Sequence, residues 1–81
     1  MELYNKRIEK VRNKMRENGL DAIYVDDKSN YFYLTGFNDF DAFCLLTAND
    51  IFLFVDSRYY EYATENCPHC EVVLYKIAIY Q

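Results

Sequence analysis

Residues 42–63 have the sequence AFCLLTANDIFLFVDSRYYEYA, and this stretch predicts the centre of the fold. Two apolar runs, Ala42 to Thr47 and Ile51 to Val55, flank the short polar link Ala48-Asn49-Asp50, a pattern typical of an antiparallel β-hairpin. Both runs are apolar at successive positions rather than at alternate ones, as in strands that are buried on two sides. The stretch therefore predicts a sheet with helices on both faces.

The residues after the second run predict a helix and then another strand. Asp56 or Ser57 is suited to cap a helix from about Arg58 to Asn66, because a side-chain oxygen there accepts hydrogen bonds from the first free backbone N–H groups. The proline that follows ends this helix. Residues from Glu71 to Tyr75, with an extension to Tyr80, are β-branched and aromatic and predict the last strand. A helix between two strands favours a right-handed crossover and a parallel strand pair.

The N-terminal segment predicts a helix followed by the first strand. Along residues 3–18 apolar side chains recur at steps of four, three and four, which places them on one face of a helix. Gly19 is suited to end this helix, because glycine takes the left-handed conformation without a Cβ clash. Leu20 to Val25 then predicts a strand and residues 26–30 a polar loop. The aromatic segment 30–36 fits either a helical turn or an extended segment.

Composition and charge restrict the class of protein. The chain has 81 residues, of which 52% are hydrophobic and 19% aromatic, with two glycines and one proline, which is typical of a single small folded domain. The net charge of −4 argues against a nucleic-acid partner, and the basic residues before Gly19 fit the solvated side of the first helix. No apolar run approaches the roughly 18 residues of a membrane span, and the N-terminus lacks the order of a secretory signal. We therefore expect a cytoplasmic protein with no membrane contact.

Three short motifs carry a resemblance to a known family. They are Gly19-Leu20-Asp21-Ala22 before the first strand, Tyr33-Leu34-Thr35-Gly36-Phe37, and Asp56-Ser57-Arg58-Tyr59 after the third strand. Together they resemble the N-terminal domain of the creatinase/prolidase/Xaa-Pro aminopeptidase group of pita-bread metallopeptidases. One departure is Asn38-Asp39-Phe40-Asp41, where many relatives have a Gly/Ser-rich turn, so we expect this loop to differ in shape.

The resemblance implies an α/β fold. The expected architecture is a three-layer domain of the ribonuclease-H-like kind, in which a mixed β-sheet has helices on both faces. The resemblance covers residues 7 to about 75. Residues 1–81 are accordingly expected to form a single creatinase/prolidase-type N-terminal domain, truncated at its C-terminal end.

The resemblance also implies a function. It indicates the non-catalytic domain of a metal-dependent Xaa-Pro aminopeptidase or dipeptidase of the prolidase kind, contributing to dimerisation and to the mouth of the active site. The implied partners are a C-terminal catalytic domain with two divalent ions (manganese, cobalt or zinc), a second subunit in a homodimer, and proline-containing peptides bound by the parent enzyme. No catalytic residue, metal ligand or cofactor is expected in this chain, because His69 and the carboxylates show no metal-site spacing. The chain alone is therefore not expected to be an enzyme.

Five side chains are candidates for the mouth of a substrate site or for an interface. The guanidinium of Arg58 suits a carboxylate on a substrate or a neighbouring domain, and the alternative is that it pairs with Asp56 or Glu61 and fixes the corner between strand and helix. Aromatic side chains of this kind more often belong to a core or an interface than to a pocket, and tyrosines, with an apolar body and a polar tip, suit an interdomain or dimer surface. The candidates are Tyr31, Phe37, Arg58, Tyr59 and Tyr62.

The motif Cys67-Pro68-His69-Cys70 supports an alternative function, a small thiol–disulfide redox protein. Such motifs depend on a helix N-terminus that lowers the pKa of the first thiol, whereas here the predicted helix comes before the motif. Cys44, inside an apolar strand, is expected to be a small buried hydrophobic residue. A second alternative is a stand-alone interaction domain that has kept the fold and lost the peptidase.

Overall fold

Helices and strands alternate along residues 2–75, the part of the chain that the computed structural model describes. In chain order the elements are α1 Glu2–Glu17, β1 Ala22–Val25, α2 Lys28–Thr35, β2 Phe43–Thr47, β3 Ile51–Val55, α3 Tyr60–Asn66 and β4 Glu71–Leu74. The four predicted strands and the two predicted helices are confirmed. α2 is a third helix, and it includes most of the segment 30–36 that fitted either a helical turn or an extended segment. The predicted extension of the last strand to Tyr80 lies outside the described residues.

The strands form one mixed sheet in the order β1-β2-β3-β4. β1 pairs with β2 and β2 with β3 in the antiparallel sense, whereas β3 and β4 are parallel. At the turn between β2 and β3, the Asp50 N–H donates to Thr47 Oγ1 at 3.0 Å and the Thr47 N–H donates to the Asp50 carbonyl at 2.9 Å. The predicted hairpin and the predicted parallel pair across α3 are both confirmed.

The two glycines end helices, as their conformations allow. Gly19 has φ 66° at the end of α1, and the N–H of Leu20 donates to the Met15 carbonyl at 2.8 Å, which gives the bond pattern of a Schellman cap. Gly36 has φ 80° at the end of α2, and its N–H donates to the Phe32 carbonyl at 2.8 Å. The predicted role of Gly19 is confirmed. The ambiguous segment 30–36 is helical because Gly36 gives it a C-terminal cap.

The start of α2 and the start of α3 differ from the predicted boundaries. Asp27 caps α2 by accepting from the N–H of Asn30 at 3.2 Å, so the predicted polar loop 26–30 is shorter and the helix begins at Lys28. At the start of α3, Asp56 accepts from the backbone N–H of Arg58 at 2.9 Å, as the sequence predicts for a capping residue. Residues 57–59 form a turn, however, and the helix begins later than predicted, at Tyr60 after Tyr59, whose side chain makes no capping bond.

One basic side chain of α1 has a structural role that its helical spacing did not indicate. Arg12 donates from Nε to the Thr47 carbonyl at 2.9 Å and from Nη2 to the Asp50 carbonyl at 3.0 Å. Its side chain is 14% exposed, so it does not belong to the solvated face with the other bases. Arg12 thus ties α1 to the turn of the β2–β3 hairpin.

The core lies on one face of the sheet, which we call the core face. Cys44, Leu46, Ile51, Leu53 and Val55 point to it and are buried. All three helices contribute buried side chains to the same cluster, namely Ile8, Met15, Tyr31, Leu34 and Ala63. Burial of Cys44 confirms the expectation that it is a small core residue.

The opposite face of the sheet, which we call the open face, has a different environment. The strand registers place on it a set of mainly apolar side chains that are half-buried or exposed, namely Tyr24, Phe43, Leu45, Phe52, Phe54 and Val73. The burial of β2 and β3 alternates along each strand because α1, α2 and α3 all pack on the core face. Among residues 2–75 the predicted helical cover is therefore found on the core face, whereas the open face has apolar side chains and no covering helix.

Candidate functional site

Four of the five candidate side chains form one aromatic cluster around Phe37. The ring of Phe37 is fully buried. It meets Tyr59 edge-on at a centroid distance of 5.8 Å and Tyr62 at 6.1 Å, while Tyr31 lies at 6.3 Å in a tilted arrangement. Edge-to-face and tilted contacts are the favoured geometries of aromatic pairs. The cluster joins the segment after α2 to the start of α3.

Arg58, the fifth candidate, lies at the surface of this cluster. Its guanidinium carbon lies 5.1 Å from the centre of the Tyr59 ring. Nη2 contacts Asp56 Oδ2 at 2.6 Å and Asp41 Oδ2 at 3.3 Å, and the backbone N–H of Arg58 donates to Asp56 Oδ1 at 2.9 Å. Hydrogen bonding from Arg58 lowers the pKa of the Asp56 carboxyl, and the same contact raises the pKa of Arg58. The pairing with Asp56 is thus observed, whereas the alternative partner Glu61 makes no ion pair with Arg58 in the described part of the chain.

The loop of residues 38–41 is held against this cluster by polar contacts. The hydroxyl of Tyr31 donates to the Asp39 carbonyl, and the hydroxyl of Tyr75 donates to the Asp41 carbonyl. Asp41 has φ 61°, the left-handed region that aspartate tolerates better than most residues. Burial is the main cause that raises the pKa of Tyr31, followed by nearby aspartates. The loop therefore has several independent attachments, and it presents Phe40 to solvent with 65% exposure.

The candidate residues therefore divide into two groups. Tyr31 and Phe37 are buried and support the loop from inside, so neither is placed to touch a ligand directly. Arg58 and Tyr62 are exposed, at 63% for the Arg58 side chain and 48% for Tyr62, and Tyr59 lies half-buried between the groups.

The site lies at one end of the sheet. β3 ends and β2 begins there, since Phe43 pairs with Phe54, and β4 ends beside them because it runs parallel to β3. Binding sites of open α/β sheets commonly lie outside the carboxyl ends of the strands. Arg58 and the loop of residues 38–41 occupy that position.

Sequence reasoning missed the acidic residues and the tyrosine that hold the loop. The main-chain carbonyls of Asp39 and Asp41 accept from tyrosine hydroxyls, and the carboxylate of Asp41 contacts Arg58. Contacts to main-chain carbonyls leave no pattern in the sequence. The available signal was that the loop Asn38 to Asp41 has two aspartates where the family resemblance predicts small residues. Tyr75 was assigned to the last strand, and its hydroxyl contact depends on the register of β4.

The Cys67-Pro68-His69-Cys70 segment follows the C-terminus of α3, as predicted. The N–H of Cys67 donates to the Ala63 carbonyl at 2.8 Å, and the N–H of Cys70 donates to the Cys67 carbonyl at 3.0 Å, forming a turn. Burial raises the pKa of the Cys67 thiol to about 11 and also raises that of Cys70. Both thiols are consequently protonated near neutral pH, which is unfavourable for thiol–disulfide exchange.

His69, inside this segment, is a packing residue. Its ring stacks on Tyr4 with centroids 4.9 Å apart, and its Nε2 lies 3.1 Å from the Leu34 carbonyl. Nδ1 is buried and has no hydrogen-bond partner among residues 2–75. The contacts connect α1 and α2 to the segment before β4.

The raised pKa of Cys67 gives a testable prediction for its reactivity. At pH 8 iodoacetamide is expected to modify Cys67 more than about tenfold more slowly than it modifies a free cysteine, because little thiolate is present. Mass spectrometry of peptides from the labelled protein, with glutathione in the same reaction as the reference thiol, measures the rate at each pH. A rate profile that levels off below pH 8 would contradict the prediction and favour the redox alternative.

The described residues form a small α/β domain. Arg58 and the aromatic cluster around Phe37 lie together at one end of its sheet. Among residues 2–75 no group of three histidine, cysteine, aspartate or glutamate side chains is placed to hold a metal ion. The same residues include no helix with the length and apolarity needed to cross a membrane.

Comparison with known proteins identifies the family. Residues 7–81 match the family described as the Creatinase/Prolidase N-terminal domain, and the chain belongs to this family. A protein of Mycoplasma genitalium provisionally assigned as an Xaa-Pro aminopeptidase is 35% identical over 57 residues, which are 70% of this chain and 16% of that protein. The chain thus spans about a sixth of this curated relative.

Solved structures give the same result. An Xaa-Pro aminopeptidase structure from Streptococcus pyogenes has a TM-score of 0.87 and 31% identity, covering 91% of this chain and 57% of that chain. The N-terminal domain of the cytoplasmic peptidase PepQ from Mycobacterium tuberculosis has a TM-score of 0.82 and 32% identity, covering 88% and 56%. These matches confirm the resemblance and the α/β fold that the sequence predicted.

Proposed function

We propose that the chain is the non-catalytic N-terminal domain of a metal-dependent Xaa-Pro aminopeptidase or dipeptidase. In this proposal it contributes to a homodimer and to the mouth of an active site that binds proline-containing peptides. The supporting observation is the corner formed by Arg58 and the loop of residues 38–41, which places exposed charged and aromatic groups at the strand ends on a firmly attached loop.

The two divalent ions of the parent enzyme are proposed to be manganese, cobalt or zinc. They do not fit the described residues 2–75, which bring no three metal-binding side chains together. The ions are therefore assigned to the C-terminal catalytic domain, which is the proposed partner of this domain. A cytoplasmic location is proposed because the M. tuberculosis neighbour is described as a cytoplasmic peptidase.

The contacts of Arg58 suggest how the corner acts. Both carboxylates that it contacts belong to this chain, so Arg58 is a positioning residue for the loop that carries Asp41 and Phe40. The ion pairs lie at the surface, with Arg58 and Asp41 exposed and Asp56 half-buried, and surface pairs contribute little to folding stability. The expected role is therefore to fix the shape of the mouth rather than to stabilise the domain.

The first test of the proposal concerns the chain by itself. Residues 1–81 are expected to show no turnover of Xaa-Pro dipeptides with added manganese or cobalt, because the catalytic domain supplies the metal site. Product release is measured by chromatography, with a prolidase as positive control. Activity that remains with the chain through repeated purification would overturn the assignment as a non-catalytic domain.

The second test concerns Arg58 in the longer parent polypeptide. Arg58→Ala is expected to lower kcat/KM about ten- to a hundredfold, because a loop that is no longer held misplaces the groups that position the substrate. The melting temperature and the bound metal are expected to stay nearly unchanged, because the side chain is exposed and the metal site is assigned to the catalytic domain. The measurements are steady-state kinetics, thermal unfolding and metal analysis on the same sample.

Asp41→Asn is the matched variant for this test. Asparagine also tolerates the left-handed backbone at position 41, so this substitution removes the charge of the loop without straining it. If Arg58 acts by holding the loop, Asp41→Asn reproduces most of the loss of kcat/KM, and the double variant loses little more. Additive losses in the double variant, or loss of metal in either single variant, would refute this role.

A further inference from the structure

The segment of residues 67–70 holds one imidazole in a fixed place. Cys67 is fully buried, and its N–H donates to the Ala63 carbonyl at the end of α3 at 2.8 Å. Cys70 packs against the core, and its N–H closes the turn on the Cys67 carbonyl at 3.0 Å. The two cysteines therefore fix both ends of the turn, and His69 lies between them.

The imidazole of His69 makes a hydrogen bond that an apolar side chain could not make. Its Nε2 lies 3.1 Å from the Leu34 carbonyl, and since a carbonyl oxygen only accepts, Nε2 is the donor. Leu34 is in the last turn of α2, where carbonyls lack a partner within the helix. Nδ1 is buried without a hydrogen-bond partner among residues 2–75, a cost that an apolar side chain would avoid. Packing alone therefore does not account for an imidazole at this position.

A second contact leads from His69 to the residue after α2. The imidazole stacks on the ring of Tyr4 with an interplanar angle of 10°. The hydroxyl of Tyr4 lies directly against the backbone of Gly36, where an added Cβ would be 2.6 Å from its oxygen. His69 thus acts on the end of α2 both by its own hydrogen bond and through Tyr4.

The neighbouring carbonyl of α2 is held in the same manner by α1. Arg7 Nη1 donates to the Tyr33 carbonyl at 3.1 Å, and the guanidinium carbon lies 4.7 Å from the centre of the Tyr33 ring. Two consecutive carbonyls at the end of α2 are therefore bound by side chains from other elements. Because Arg7 remains in place, we expect loss of the His69 bond to loosen this turn without unfolding the domain.

The loop of residues 38–41 starts from this turn. The N–H of Gly36 donates to the Phe32 carbonyl at 2.8 Å, and the N–H of Phe37 donates to Thr35 Oγ1 at 3.0 Å. The loop begins at the next residue, so the position of its first residue depends on where α2 ends. Its last residue, Asp41, is held by Arg58.

We propose that His69 is a positioning residue for the mouth of the active site. It fixes the last turn of α2 and thereby the start of the loop of residues 38–41, while Arg58 holds the end of that loop. This inference rests on the proposed function of the mouth. It also gives a role to the segment of residues 67–70 that does not require thiol chemistry.

Amide hydrogen exchange in the 81-residue chain tests the structural part of the proposal. In His69→Leu the amides of Gly36 and Phe37 are expected to exchange about two- to tenfold faster, while the amides of the β2–β3 hairpin keep their rates. His69→Gln places an amide N–H near the position of Nε2 and is expected to restore most of the protection. Tyr4→Leu, which removes the ring under the imidazole, is expected to accelerate the same two amides.

Steady-state kinetics of the longer parent polypeptide test the functional part. His69→Leu is expected to lower kcat/KM for an Xaa-Pro dipeptide several-fold with unchanged metal content, because a displaced loop misplaces the substrate. His69→Gln is expected to recover most of this loss. Pro68→Ala, at an exposed position in the same turn, is the control and is expected to change neither exchange nor kinetics.

Three exchange results would overturn the proposal. The first is an unchanged rate at Gly36 and Phe37 in His69→Leu, and the second is equally fast exchange in His69→Leu and His69→Gln, because the donated hydrogen bond would then not be the cause. The third is acceleration that extends equally to the β2–β3 hairpin, which would make His69 a residue of general stability. Local acceleration with unchanged kcat/KM would instead contradict the proposed function of the mouth, so the two failures are distinguishable.

Discussion

Phe37→Ala is expected to remove about 3–5 kcal/mol from the free energy of unfolding, the usual cost of deleting a buried phenylalanine side chain. Phe37 is fully buried and touches Tyr31, Tyr59 and Tyr62, so its loss leaves a cavity among rings that come from α2 and from the start of α3. A domain of this size has about 4–12 kcal/mol of stability in total. The variant is therefore expected to be largely unfolded at modest denaturant concentrations.

Urea unfolding followed by tyrosine fluorescence and circular dichroism measures this loss. Phe40→Ala is the matched control, because it deletes the same side chain at a position that is 65% exposed and is expected to change stability by less than about 0.5 kcal/mol. Phe37→Leu is expected to lie between the two, since leucine fills part of the cavity. Equal stability of Phe37→Ala and Phe40→Ala would show that the aromatic cluster is not part of the core.

The local elements were predictable where one signal was sufficient. The β2–β3 hairpin follows from two apolar runs and a three-residue polar link, and α1 follows from its apolar spacing and Gly19. α2 was ambiguous because its aromatic residues have no helical period, and its caps at Asp27 and Gly36 decide its conformation. The predicted start of α3 at Arg58 is too early, because residues 57–59 form a turn after Asp56 and the helix begins at Tyr60.

The candidate site was predictable as a set of residues but not as an arrangement. The motif Asp56 to Tyr59 and the tyrosines indicated which side chains matter. Their division into buried supports and exposed groups depends on how the loop of residues 38–41 folds over Tyr31, a tertiary contact without a local signal. Arg12 shows the same limit, because a helical pattern cannot show that one base on the polar side reaches the carbonyls of a distant turn.

Gly36→Ala is expected to lower the free energy of unfolding by about 2–4 kcal/mol. Gly36 has φ 80°, and a left-handed conformation costs alanine about 1–2 kcal/mol. A Cβ at this position would also lie 2.6 Å from the hydroxyl oxygen of Tyr4 and 2.9 Å from its Cζ. Tyr4 has little freedom to retreat, because its ring stacks on His69 at 4.9 Å, so the contact adds a cost typical of overpacking.

Gly19→Ala separates the two contributions. Gly19 has φ 66°, but an added Cβ there meets no atom within 4 Å, so this variant carries the backbone cost alone and is expected to lose about 1–2 kcal/mol. Tyr4→Leu shortens the side chain that blocks Gly36, and in that background Gly36→Ala is expected to cost about as much as Gly19→Ala. Urea unfolding of the four variants measures the coupling between positions 4 and 36. If Gly36→Ala costs the same with tyrosine and with leucine at position 4, the contact with Tyr4 contributes nothing, and the backbone conformation accounts for the whole loss.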